Sequence, residues 1–76
     1  MTARQELVFD ALAKVSRRDR SAIKPEQELT ADLGIDSPKS MQLLMELEEK
    51  LKVEISEEDA LRMSTVGDIL AFVEKV

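Results

Sequence analysis

Apolar residues recur along the chain at helical rather than strand spacing. Leu7, Val8, Ala11, Leu12 and Val15 fall at i, i+1, i+4, i+5 and i+8, one face at about 100° per residue. This predicts a first helix over 3–15. Phe9 lies outside the stripe and is expected at the rim of the core. A second helix is predicted over Ser37–Leu51. Asp36 or Ser37 can cap its free N–H groups, and Pro38 sits in its first turn, where a missing N–H costs nothing. Leu44, Leu47 and Leu51 define its buried stripe, with Ser40, Met41 and Leu43 at the edges. Val53 and Ile55 are expected to anchor the chain beyond it. A short third helix is predicted over 57–62. Ser56 is its cap, and Glu57, Glu58 and Asp59 fill the first turn, where the helix dipole favours acids. Its apolar residues are Ala60, Leu61 and Met63. A fourth helix is predicted from Thr65 to the end, with Thr65 and Asp68 at capping-box spacing and Val66, Ile69, Leu70 and Val73 facing inward.

The connection between the first two helices, 16–36, is long for a compact domain. It opens with Arg17, Arg18 and Arg20, a basic cluster expected to be solvated. Ile23, Leu29, Leu33 and Ile35 then recur irregularly, so the segment is expected to pack over the core. Pro25, Glu26 and Gln27 are expected to form a short helical turn, and Gly34 to end the segment. The predicted fold is all-α: a four-helix bundle with one short helix and a long loop between helices 1 and 2.

Composition narrows the function. The chain of 76 residues is expected to be a single domain, 1–76. It has no Cys and no His, which removes the commonest nucleophile, general-base and zinc-ligand constellations. No metal site is expected. Trp and Tyr are absent and Phe occurs twice, so stacking platforms for bases are missing. The net charge of −5 likewise opposes nucleic-acid binding. Acids concentrate in the second half: residues 37–76 carry 9 acids against 5 bases. No apolar run approaches the ~18–20 residues of a membrane span, and the N-terminal residues lack a signal-peptide core. A cytoplasmic protein is expected.

One segment stands apart, Asp32-Leu33-Gly34-Ile35-Asp36-Ser37. It places a Ser in the first turn of a helix, where free N–H groups and the dipole favour an anion. A phosphate esterified to Ser37 would be favoured there, although on the local pattern alone a simple capping Ser is the commoner case. With no His as base, Ser37 is not a catalytic nucleophile of the usual kind, and no catalytic residue is assigned.

That hexapeptide resembles the signature of acyl carrier proteins. The resemblance continues through Met45-Glu46-Leu47-Glu48-Glu49, Val53-Glu54-Ile55, the Glu57-Glu58-Asp59 turn and Thr65-Val66-Gly67-Asp68, in order and over nearly the whole chain. It implies a carrier without catalytic activity. A phosphopantetheinyl transferase would attach the 4′-phosphopantetheine arm of coenzyme A covalently to Ser37, with Asp36 helping the transferase and its magnesium ion. The arm's thiol would hold acyl groups as thioesters for fatty acid, polyketide or related synthesis. The resemblance further implies an acyl cavity among Leu44, Leu47, Ile55, Ala60, Leu61, Met63 and Ile69. It also implies a partner-reading face on the exposed side of helix 2, comprising Pro38, Lys39, Gln42, Met45, Glu46 and Glu49. Partners would be acyl ligases or ketoacyl synthases, and a monomer is expected. Three positions depart from the family pattern: Pro38 where Leu is usual, Lys39 where an acid is common, and Gln42 where Glu is common. They suggest a specialised carrier. The alternative is an unmodified helical adaptor of the same fold.

Overall fold

The structure is a computed structural model that describes residues 2–75. Four helices form it: α1 (Ala3–Ser16), α2 (Ser37–Leu51), α3 (Glu57–Leu61) and α4 (Val66–Lys75). The fold is all-helical, and its one extended pairing among the described residues is an isolated bridge between Glu28 and Thr65.

α1 starts at a reciprocal cap. Gln5 N donates to Thr2 Oγ1 at 3.2 Å and Thr2 N donates to Gln5 Oε1 at 3.1 Å, so two donors at the helix start are satisfied together. The helix runs one residue beyond the predicted end, to Ser16, whose hydroxyl donates back to Leu12 O at 2.6 Å. Arg17 then turns the chain with φ 59°. Val8, Ala11, Leu12 and Val15 are buried as the stripe predicts, and Leu7 is half-buried.

Phe9 departs from its expected rim position, being only 6% exposed. The loop covers it. A 3-10 turn at Arg20–Ala22 sets the Arg20 guanidinium 5.9 Å from the ring centroid. The same guanidinium pairs with Glu6 at 3.1 Å and Asp10 at 3.0 Å. Arg20 thus holds the loop on α1, while Arg17 and Arg18 stay exposed as expected.

The rest of the loop is stitched to the start of α4. Leu29 N donates to Ser64 O at 2.9 Å, Val66 N to Gln27 O at 3.0 Å, and Gly67 N to Pro25 O at 2.8 Å. A Cβ on Gly67 would lie 3.2 Å from Pro25 O, so glycine permits this close approach. The regular 3-10 helix forms at Arg20–Ala22, whereas Pro25 and Glu26 make a single turn closed by Gln27 N to Lys24 O at 3.1 Å. Ile23, Leu29, Leu33 and Ile35 are buried, so the loop is part of the core.

α2 has the predicted bounds, and Asp36 is its cap, accepting from Lys39 N at 3.1 Å. Its buried stripe is Leu43, Leu47 and Leu51. Leu44 is half-buried and stands outside the core cluster, which corrects the Leu44-centred stripe. α1 packs along one side of α2 and thereby selects Leu43 from the adjacent pair.

Ser56 caps α3 by accepting from Asp59 N at 3.1 Å. The helix ends at Leu61, one residue early, and buries none of its residues. α4 begins at Val66 behind the predicted capping box: Asp68 N donates to Thr65 Oγ1 at 3.1 Å and Thr65 N to Asp68 Oδ2 at 3.0 Å. Val66, Ile69 and Val73 are buried and Leu70 is half-buried. The predicted last residue of this helix, Val76, lies outside the described residues.

Candidate functional site

Gly34 takes φ 66° with open space where a Cβ would stand. The turn it completes is closed by Ile35 N to Leu29 O at 2.9 Å and Thr30 Oγ1 to Ile35 O at 3.2 Å. Ile35 is thereby driven into the core at 2% exposure, and the next two residues emerge at the start of α2. Asp36 and Ser37 are both exposed. The Ser37 hydroxyl makes no hydrogen bond among the described residues, because Asp36 does the capping.

The helix start offers fewer anion donors than the sequence suggests. Pro38 has no N–H, Lys39 N is taken by the Asp36 carboxylate, and Ser40 N donates to Asp36 O at 2.7 Å. Of the first-turn donors only Ser37's own N–H stays unpaired. The dipole end remains, but the ring of free N–H groups does not.

Beside Ser37 lies a groove of about 460 Å³. Leu29, Thr30 and Ile35 form its loop wall, Ser37 and Ser40 its α2 wall, and Met63 and Ser64 close it beyond α3. Of the residues expected to line an acyl cavity, only Met63 reaches this groove. Leu47 and Ile69 are packed in the core at 0% and 1% exposure, and Leu44, Ile55 and Ala60 are half-buried. Leu61 is 85% exposed. Its expected interior position is therefore corrected: α3 is one short turn and a half lying outside the bundle, and Leu61 points away from it.

The expected partner face also changes. Pro38, Gln42, Met45 and Glu49 are exposed, and Lys39 is half-buried. Glu46 is instead turned towards α1, where Lys14 Nζ meets its Oε1 at 2.8 Å. That hydrogen bond holds the Glu46 carboxyl below the usual carboxylate range and raises Lys14. Met41, assigned by sequence to the edge of the core, is 67% exposed. Shifting the stripe from Leu44 to Leu43 rotates Met41 outward and Glu46 sideways at about 100° per residue, so one misplacement accounts for both. Glu48 has a structural task that the sequence pattern did not reveal, accepting from Ile55 N at 3.0 Å.

No group of three or more His, Cys, Asp or Glu among the described residues could hold a metal ion. No helix there is long and apolar enough to cross a membrane.

A family model described as the phosphopantetheine attachment site matches residues 6–73. An acyl carrier protein from Exiguobacterium sp. is 41% identical over 76 residues, covering 97% of this chain and 96% of its own. The chain belongs to the acyl carrier protein family. Solved structures of the family agree in fold. One from Mycobacterium tuberculosis, described as an acyl carrier protein, superposes with a TM-score of 0.88 at 38% identity, covering 96% of this chain and 97% of its own. The Enterococcus faecalis acyl carrier protein superposes at 0.76 with 26% identity, covering 97% and 98%. Members of this family are carriers rather than catalysts, and their cofactor is 4′-phosphopantetheine.

Proposed function

We propose that Ser37 is the attachment point and that the chain, as a single domain over 1–76, carries acyl groups as thioesters on the attached arm. The observation that carries this reading is the exposed, unengaged Ser37 hydroxyl beside a groove with room for a chain. In the loading step Ser37 Oγ attacks the β-phosphorus of coenzyme A. The bond to the departing adenosine 3′,5′-bisphosphate breaks as the phosphodiester forms, and the hydroxyl proton passes to the transferase. Asp36 holds the first turn in place through Lys39 N, so the nucleophile is fixed at a helix start. Its second carboxylate oxygen is left to face the transferase and its magnesium ion. The arm supplies the thiol that this Cys-free chain lacks.

Partner enzymes of the acyl ligase or ketoacyl synthase type are proposed to read Pro38, Gln42, Met45 and Glu49, with Lys39 at the edge, in a cytoplasmic setting. Exposed charge differences act mainly on encounter rate and discrimination. A first turn with Lys39 in place of an acid therefore fits a partner less basic than a general fatty-acid enzyme.

Intact-mass measurement after incubation with coenzyme A and a broad-specificity phosphopantetheinyl transferase tests the attachment. Wild type should gain one phosphopantetheine, and Ser37→Ala should gain none. Equal gain by both proteins, or gain by neither, overturns the assignment.

A further inference from the structure

Pro38 and Lys39, neighbours at the start of α2, bear on the same few atoms. Pro38 has no N–H to give. Asp36 engages the next two amides, Lys39 N through its carboxylate at 3.1 Å and Ser40 N through its carbonyl at 2.7 Å. A phosphodiester carried on Ser37 therefore meets one free amide, that of Ser37 itself, where an uncapped helix start offers about four. Its surroundings are also acidic. Glu28 and Asp36 line the groove beside Ser37, and both are exposed. From Pro25 to Ser40 the chain carries Glu26, Glu28, Asp32 and Asp36 against one cation, Lys39. A further anion placed there is repelled unless a cation lies close to it.

Lys39 meets that need. It stands in the first turn of α2 and is half-buried. Helical side chains lean towards the N-terminal end of their helix, which here is the end that bears Asp36 and Ser37. Two residues of helix rise only about 3 Å, well within the reach of a lysine stem. Its ammonium pairs with no carboxylate among the described residues, whereas Lys14 is held by Glu46 and Arg20 by Glu6 and Asp10. Arg62, the cation next to Met63 in sequence, instead ends α3 and lines the α4 side with Asp59 and Asp68.

We propose that the Lys39 ammonium is the internal counter-ion of the phosphodiester that joins the arm to Ser37, taking the place of the amide donor that Pro38 removes. Lys39 Nζ donates to a non-bridging phosphate oxygen and draws the root of the arm over the first turn of α2. A formal charge on a side chain thus does what free N–H groups do at an ordinary helix start. The anion is already compensated when a partner arrives, so a cation on the partner gains little there and meets Lys39 instead. This rests on Ser37 being the attachment point.

The test loads wild type, Lys39→Gln and Arg62→Gln from coenzyme A with excess broad-specificity transferase and verifies each by intact mass. In loaded wild type, NOEs should connect the Lys39 Hε protons to the arm's methylene next to the phosphate. The phosphorus resonance of loaded wild type should differ from that of Lys39→Gln at about 0.01 M salt. The difference should close towards about 1 M, as the screening length falls from about 30 Å to about 3 Å. Arg62→Gln should keep the wild-type resonance throughout. Absence of the Lys39 NOEs, or coincident wild-type and Lys39→Gln resonances at low salt, overturns the proposal. An equal displacement in Arg62→Gln overturns it too, because the effect would then follow net charge rather than position. If Lys39→Gln resists loading, wild type alone decides. Its Lys39 Cε resonance should move on loading, while that of Lys52, exposed at the other end of α2, should not, and equal movement of the two overturns the assignment. Absence of loading in wild type overturns the attachment reading instead, and the mass spectrum separates that failure from the others.

Discussion

The segment without regular helix between α1 and α2 is better anchored than the helix α3. The loop buries Ile23, Leu29, Leu33 and Ile35, joins its backbone to residues 64–67 through three hydrogen bonds, and is clamped to α1 by Arg20. α3 has regular hydrogen bonding and a side-chain cap, yet buries nothing. Anchorage follows apolar burial and non-local hydrogen bonds rather than local regularity. For the groove beside Ser37 the consequence is one firm wall, the loop, and one wall that can yield, the segment behind α3.

The largest test of this contrast is Leu33→Ala. Leu33 is 2% exposed, and removing a buried leucine side chain costs about 2–5 kcal/mol. In a domain of this size that is a large share of the total stability. Denaturant unfolding should show a midpoint far below wild type. A loss under about 1 kcal/mol, the ordinary outcome for a peripheral residue, would mean that the loop is a covering rather than core.

Gly34→Ala is the next largest. Its φ of 66° lies in the left-handed region, where an L-residue pays about 1–2 kcal/mol. No atom stands within 4 Å of the added Cβ, so the cost should be backbone strain alone, with Ser37 still loaded by the transferase. Urea titration and intact mass on the same variant check both halves.

How much of this was legible in the sequence depends on whether the deciding interaction was local. The Thr65–Asp68 and Ser56–Asp59 caps lie within three residues of their partners and were predicted at the right positions. So was the start of α2, with Pro38 in its first turn, and its cap, Asp36 or Ser37 on the sequence, falls to Asp36. Ser37 stood out through the hexapeptide Asp32–Ser37 and the family resemblance rather than through a local interaction. The choice of Leu43 over Leu44 was not legible, because adjacent leucines fit a helical stripe equally and only the placement of α1 decides. Phe9 was misplaced because its cover arrives from Arg20, across a loop. Leu61 was misplaced by the converse error: an apolar residue on a short helix suggested core, but α3 lies outside the bundle. The apolar beads showed that the loop packs, but its backbone joins to 64–67 leave no mark in composition.

A smaller effect concerns the end of the loop's clasp. Asp68 accepts hydrogen bonds from Ser64 N, Thr65 N and Ser64 Oγ, and these, led by the Ser64 backbone donor, hold its carboxyl below the ordinary range. A carboxylate with a depressed folded pKa contributes stability that is present above its unfolded value of about 3.9. That contribution is lost as pH falls through the folded value. Asp68→Asn should therefore be less stable than wild type at neutral pH, by about 1 kcal/mol on the scale of helix caps, and should lose less stability below about pH 4. Parallel acid titrations of the two proteins would refute the role of this carboxylate.

The smallest effect belongs to α3 itself. Leu61→Ser replaces a side chain that is 85% exposed, and surface changes of this kind stay within about 0.5 kcal/mol. Truncating a leucine in a buried stripe costs several times more, so Leu61 set against Leu33 contrasts an exposed with a buried leucine. Native-state hydrogen exchange gives the complementary measurement. The Val66 and Gly67 amides, which donate into the loop, should exchange through large openings, whereas the Ala60 amide, which donates to Ser56 O at 3.0 Å within α3, should exchange through small local ones. If Leu61→Ser lowered the unfolding midpoint as far as Leu33→Ala does, α3 would have to be packed in solution more tightly than its exposure implies. The yielding wall beside Met63 would then lose its physical basis.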